Sequence, residues 1–262
     1  MTRPAGVEWI RNDAPDVRAK AIYLGVPSLG VVSIQWHMHM MGLQNPLNRG
    51  VVHGYGTGYE VGMGRNFLVQ QAMQWTNDRG DTVSHVFFVD DDCLIPPYAL
   101  TKLLAHNRPI VSGLYYAKTE GAQPLVLMGP GQGVPDSLPK NAVVECFAHG
   151  MGCTLIEMQV FRNLLKHGLA RDETLPTGQT VPMFFKTTRD EILPDGTRTV
   201  YNETEDVFFL KNAAELGYTA AVDTGVFCFH YDYKGEQGYP KAAWDQYKAT
   251  GTFDLPLHEV AA

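Results

Sequence analysis

The sequence predicts an α/β fold on a mainly parallel, doubly wound sheet, and three observations predict it. Apolar runs of strand length alternate with segments of helical apolar spacing through the first half of the chain. The 262 residues, 45% hydrophobic and 19% charged, suffice for one large core of that class. The apolar run before residue 90 ends abruptly in three carboxylates, at what such a sheet would make its ligand-binding edge.

Residues 1–19, polar with two prolines, read as an N-terminal arm. KAIYLGVPS (20–28) is a buried strand ending in a Pro-Ser turn, and GVVSIQWHMHMMGL (30–43) has helical spacing. Met38, Met40 and Met41 are then expected to pack, while His37 and His39, two apart, separate around the helix and are poor joint ligands. GVVHGYGTGYE (50–60) is a strand running into a Gly-rich loop, VGMGRNFLVQQAMQW (61–75) an amphipathic helix, and HVFFVDDD a strand. A helix follows at 97–107, opened by prolines that suit a first turn, then the strand PIVSGLYY (109–116).

The second half is more mixed. Residues 131–141 read as a loop, VVECFAH and GCTLIEM as strands, and 158–167 as a helix. TTRDEILPDGTRT (187–199) is a polar hairpin or a mobile loop, ETEDVFFLKNAAELG (203–217) a helix with a Gly stop, and YTAAVD and VFCFHYDY late strands. No linker composition or repeat divides the chain. The reading is one domain over 20–232, with halves 20–118 and 119–232, followed by a C-terminal tail, 233–262.

A net charge of −7 argues against a surface that coats nucleic acid or anionic membrane without discrimination. The four cysteines form no C-x-x-C pair, so buried free thiols in a reducing cytoplasm are expected rather than a zinc site or disulfides. No signal-peptide core and no apolar run of about 18 residues occurs, which predicts a soluble cytoplasmic protein that meets membranes peripherally at most.

Asp90, Asp91 and Asp92 carry the strongest chemical signal. One carboxylate is explained as a helix cap, whereas two more beside it bring only repulsion unless a cation is shared. Hard divalent cations such as Mg²⁺ or Mn²⁺ combine one or two carboxylates with substrate phosphates. Two further segments carry chemistry-bearing residues. Glu205–Asp206 open an amphipathic helix, and His230 ends an apolar strand.

Taken in order, SHVFFVDDD, ETEDVFFLKN and GVFCFHYD resemble the signature of GT-A glycosyltransferases, above all the family-two type, over about residues 20–232. GVPS, GMGRNFLVQQAM and HGMGCTLIEMQVF are similar to that family's nucleotide turn, Arg-Asn helix and acceptor-side segment. The resemblance implies a Rossmann-like GT-A domain with a smaller mixed C-terminal half, and transfer of a sugar from a nucleoside-diphosphate sugar to an acceptor hydroxyl with inversion. It implies Asp92, Asp90 and His230 around Mn²⁺ or Mg²⁺, with Asp91 assisting. Arg65 and Gly150 would lie at the donor, Pro27 and Ser28 at base and ribose. Asp206 would be the general base and Glu205 a positioning residue. A UDP-sugar is the first donor expected. The family's extra acidic motif has no counterpart in GYGTGYE, where Tyr55 offers an aromatic face instead.

Two other classes share parts of this pattern. A nucleotidyltransferase would carry a basic Gly-rich turn after the first strand, which GVPSLGVV lacks. A non-catalytic nucleotide-sugar-binding module would need Glu205–Asp206 to be helix-start chemistry alone. The acceptor is a saccharide or, since the compact chain also resembles bacteriophage-encoded enzymes, a hydroxymethylated base in DNA. Oligomeric state is left open.

Overall fold

A computed structural model describes residues 19–119, 121–130, 132–135, 137–192 and 196–253. The N-terminal arm up to residue 18 and residues 254–262 of the expected tail lie outside the described residues. Ala19–Ser28 form strand β1, buried throughout from Ala21 to Ser28, as befits a strand covered on both faces. Helix α1 (Ile34–Met41) starts at Ser33, whose hydroxyl accepts from the Trp36 N–H at 3.0 Å. β2 (Gly50–Thr57) and β3 (Thr82–Val89) pair parallel with β1 on either side, and α2 (Val61–Gln74) joins them. After the acidic turn come β4 (Cys93–Leu94), α3 (Ala99–Ala105) and β5 (Ile110–Leu114).

The second half adds β6 (Val126–Leu127), β7 (Val143–Cys146), β8 (Ala148–His149), β9 (Cys153–Glu157) and α4 (Met158–Lys166). Two antiparallel hairpins follow, β10 (Arg171–Thr174) with β11 (Thr180–Met183), and β12 (Thr188–Ile192) with β13 (Arg198–Asn202). Of the segment expected as a hairpin or mobile loop, 188–192 and 198–199 are therefore paired strands, and 193–195 lie outside the described residues. Next are α5 (Glu205–Glu215), β14 (Ala220–Phe227), β15 (Phe229–Asp232), β16 (Gln237–Tyr239) and α6 (Lys241–Thr250). The stretch expected as a tail thus contains a strand and a helix.

The central sheet has seven strands in the order β2-β1-β3-β9-β5-β14-β7. β2, β1, β3, β5 and β14 run one way, so the mainly parallel α/β class holds. β9 runs antiparallel to both its neighbours in the middle of the sheet, and β7 antiparallel at the edge. An apolar run such as CTLIE encodes burial but not direction, so this reversal was not legible beforehand.

Its consequence is functional. The amino end of β9 lies at the same sheet edge as the carboxyl ends of the five parallel strands.

Helices cover the sheet. α2 lies on β1, β2 and β3, with α4 and α5 beside it, and α3 covers β5, β9 and β14. Phe161, Phe184, Phe185 and Phe209 form an aromatic cluster beneath α2, α4 and α5, with Phe185 stacked on Phe209 at 4.7 Å. All four cysteines are buried free thiols, as expected. Of the three methionines expected to pack, only Met40 does; Met38 and Met41 are exposed.

Candidate active site

Every segment singled out from the sequence reaches one edge of the sheet. Ser28 ends β1, Asp90–Asp92 follow β3, and His230 follows β14. Gly150 lies three residues before the start of β9, whose reversed direction brings that end to the same place. The turn is tied down by its backbone. The Asp90 N–H donates to the Gly152 carbonyl at 3.1 Å, the Trp36 indole N–H donates to the Asp90 carbonyl at 2.8 Å, and the Tyr231 N–H donates to the Asp92 carbonyl at 2.7 Å.

Arg65 stands at the centre. It is 1% exposed, and its guanidinium donates to Asp90 Oδ1 at 2.6 Å and to Glu205 Oε1. It therefore links the post-β3 carboxylates to the start of α5. Burial opposes its charge, but Asp90 and Glu205 outweigh that and hold its pKa above the ordinary value. Burial pushes the carboxyls of Asp90 and Glu205 upward, and Arg65 offsets part of each rise. The buried guanidinium is balanced by two half-buried carboxylates, and removing any one of the three leaves charge without its partner.

Asn66, next to Arg65, is a structural clamp. Its Oδ1 accepts from the N–H groups of Phe184 and Phe185 at 2.8 and 3.0 Å, and its amide donates to the Phe185 carbonyl at 2.9 Å. The Arg-Asn pair thus divides its work between the site and the segment that follows β11.

Asp91 is turned toward Ser28. Burial raises its pKa, against the opposing effect of its hydrogen bond with the Ser28 side chain. The Ser28 hydroxyl also accepts from the Gly30 N–H at 3.0 Å. Tyr55 and Thr57 face away from α2, because the neighbouring Gly54 and Gly56 are the buried positions of β2. Tyr55 is 54% exposed and Pro27 pairs with Gly56 across the register.

Asp92 meets Lys118 and His230. The Lys118 ammonium is 2.5 Å from its Oδ2 and His230 Nε2 is 3.4 Å from the same oxygen. Burial opposes its charge, but His230 and Lys118 prevail and bring its pKa down to about 2. His230 Nδ1 lies 3.0 Å from the Tyr116 carbonyl and so carries the proton there. That contact orients Nε2 toward Asp92, the backbone-anchored arrangement typical of metal-ligating imidazoles.

This donor set fits a divalent ion in part. Asp92 and His230 offer two donor groups facing each other. Among the described residues, however, no three His, Cys, Asp or Glu side chains form a ready metal cage. Substrate phosphate oxygens would have to complete the shell, and Lys118 would have to leave Asp92.

Asp206 lies in the first turn of α5, where a carboxylate is favoured. Its Oδ1 accepts from the Thr204 hydroxyl and from the Val207 N–H, at 2.7 Å for the latter, which orients the group and leaves Oδ2 out of both bonds. Its charge acts on Glu205, Tyr115 and His149, placing these side chains around it.

Gly150 and Gly152 are required by Tyr115. A Cβ on Gly150 would lie 2.2 Å from the Tyr115 hydroxyl, which accepts from the Gly152 N–H at 2.8 Å. Burial, then Asp90, keeps that phenol well above its usual pKa, so it stays protonated. His149, also buried, is pushed toward the neutral form by burial.

Sequence reasoning missed Tyr115, Lys118 and His149. The first two were within reach, since LYYAK follows an apolar strand just as DDD does, and parallel strands end at the same edge. His149 depends on the reversal of β9 and had no such signal.

No family model matches the chain and no curated protein matches it. Among solved structures, A197 from STIV is similar with a TM-score of 0.49 at 15% identity, over 81% of this chain and 86% of that one. Residues 1–349 of S. aureus TarS, in complex with UDP-GlcNAc, are similar with a TM-score of 0.42 at 13% identity, over 78% of this chain and 55% of that one. Likenesses of that size assign no family to this chain.

Proposed function

We propose that the protein is a glycosyltransferase that moves a sugar from a nucleoside-diphosphate sugar to an acceptor hydroxyl. The convergence of Asp90–Asp92, Arg65, Glu205–Asp206 and His230 on one sheet edge carries this reading. Diphosphate departure needs positive charge near the leaving oxygen, and acceptor attack needs an oriented carboxylate. The ion pairs around Asp92 and the two hydrogen bonds that orient Asp206 support the reading.

In this reading Asp92 and His230 would hold Mn²⁺ or Mg²⁺. The ion, when bound, supplies Lewis-acid stabilisation of the leaving phosphate oxygen. Asp91, Ser28 and Pro27 flank the ribose side, and Tyr55 offers its exposed ring to the base. Asp206 takes the proton from the acceptor hydroxyl as that oxygen bonds to the anomeric carbon. The bond from this carbon to the diphosphate oxygen breaks, and the nucleoside diphosphate leaves with its electron pair. A single displacement inverts the anomeric centre. Arg65 acts from below as the tie that holds Asp90 and Glu205 in register, so its contribution is positioning rather than direct contact with the diphosphate.

A thermal-shift screen of nucleotide sugars, with Mn²⁺, with Mg²⁺ and with a chelator, tests the donor half. A ligand bound only by the folded state raises its apparent stability. A metal-dependent shift by one nucleotide sugar supports the reading and names the donor, after which saccharides and hydroxymethylated DNA are tried as acceptors. Stabilisation by nucleoside triphosphates alone moves the assignment to nucleotidyl transfer. No shift by any of them sinks the proposal.

A further inference from the structure

The three carboxylates of the acidic turn already have partners within the protein. Asp90 Oδ1 accepts from Arg65 at 2.6 Å, Asp91 is hydrogen-bonded with the Ser28 side chain, and Asp92 Oδ2 meets the Lys118 ammonium at 2.5 Å. The two cations differ in how firmly they are held. The Arg65 side chain is 2% exposed and tied to two carboxylates. The Lys118 side chain is 29% exposed, pairs with Asp92 alone among the described residues, and carries its ammonium on a flexible four-carbon stem. Arg65 cannot leave without stranding buried charge, whereas Lys118 can swing into solvent at little cost.

Lys118 also stands where a divalent ion would have to bind. Its ammonium lies on Oδ2, the same Asp92 oxygen that His230 Nε2 faces at 3.4 Å. Both partners of that oxygen depend on one stretch of backbone. The Tyr116 carbonyl holds His230 through Nδ1 at 3.0 Å, and Lys118 follows two residues later. The Ala117 N–H donates to the Gln123 carbonyl at 2.9 Å and fixes the backbone beside Lys118, so a displaced ammonium stays within a side chain's reach of Asp92. Two cations on one carboxylate oxygen repel, and the tethered one then needs another anion. We propose that Lys118 is a displaceable counter-ion, which holds Asp92 in the free protein and, once a divalent ion takes that oxygen, turns to the donor diphosphate as a further positive charge on the leaving group. For the identity of the diphosphate this rests on the glycosyltransferase reading. Lys118 thus opposes the metal in the free protein and binds the diphosphate in the complex.

Lys118→Met should therefore move two affinities of the full chain in opposite directions. Mn²⁺ alone, titrated with the EPR signal of the free ion as readout, should bind about tenfold more tightly than to wild type, because no ammonium competes for Asp92. Inorganic pyrophosphate, a diphosphate without base or sugar, should bind about tenfold more weakly by calorimetry in the presence of Mg²⁺. Lys118→Arg keeps the charge and should return both values toward wild type. A residue that merely shaped the site would weaken both ligands together. Because the pair is about one-third exposed, both variants should melt close to wild type. Unchanged or weaker Mn²⁺ binding by Lys118→Met overturns the counter-ion role, and unchanged pyrophosphate binding overturns the role at the diphosphate. A wild type that binds neither probe overturns both. Failure of the glycosyltransferase reading looks different: both affinities shift as described, while no nucleotide sugar raises the melting temperature.

Discussion

Arg65 shows how one side chain can hold a site together without reaching solvent. It joins Asp90 on the post-β3 turn to Glu205 at the start of α5, two groups 115 residues apart in the chain. Arg65→Met keeps the bulk but leaves two half-buried carboxylates without their cation, and should cost about 1–3 kcal/mol in denaturant unfolding. An unchanged midpoint would mean the carboxylates find water instead. The chemical assignments separate at this scale too. Asp206→Asn should leave donor binding intact and lower transfer about a hundredfold or more. Asp92→Ala and His230→Ala should instead weaken metal-dependent donor binding about tenfold. Calorimetric titration alongside a transfer assay distinguishes the two, and near wild-type transfer by Asp206→Asn would refute its role as base.

His85, on β3, makes a separate prediction about pH. Burial, then the nearby Arg49, lowers its pKa from 6.5 to about 4. The unfolded chain therefore takes up a proton at a pH where the folded chain does not. Stability from this group is complete above about 6.5, falls as pH drops toward about 4, and levels off below. Melting temperature against pH should slope accordingly, and His85→Gln should flatten that slope between those limits.

At the scale of elements, the approach of α2 to β2 rests on glycine. A Cβ on Gly56 would lie 2.9 Å from the Gly64 carbonyl oxygen, which is backbone and cannot swing aside. Gly56→Ala should push α2 off the sheet and cost about 1–3 kcal/mol. Gly64→Ala, whose Cβ would sit 3.4 Å from the Gly56 oxygen, should cost less. Equal melting temperatures for the two variants would contradict this packing. Elements were the most legible level of the sequence. β1, α2, β3 and α5 occupy nearly the spans their periodicity indicates, because burial on a repeating face writes that periodicity. The β10–β11 hairpin carried no such mark, since every residue of β10 is exposed and nothing alternates.

For the molecule as a whole, the C-terminal segment completes the fold. Trp244 of α6 packs on Phe229, Tyr231 and Tyr247, and its indole N–H is buried without a partner among the described residues. Trp244→Ala should cost about 3–5 kcal/mol by opening a cavity. Trp244→Phe should cost well under half of that, since it keeps a ring and removes the unpaired donor. If both variants are equally mild, α6 is not part of the cooperative unit.

The sequence by itself determined the α/β class, the order of the principal elements and the carboxylate, arginine and histidine segments of the candidate site. Local periodicity and strand ends are properties of neighbouring residues, and they survive in one dimension. Only the tertiary structure decided the direction of β9, the burial of Arg65 between Asp90 and Glu205, the pairing of Lys118 with Asp92, and the exposed outer side of α1. Each of these depends on which distant surfaces meet, and a composition or spacing pattern does not record whether a neighbour arrives.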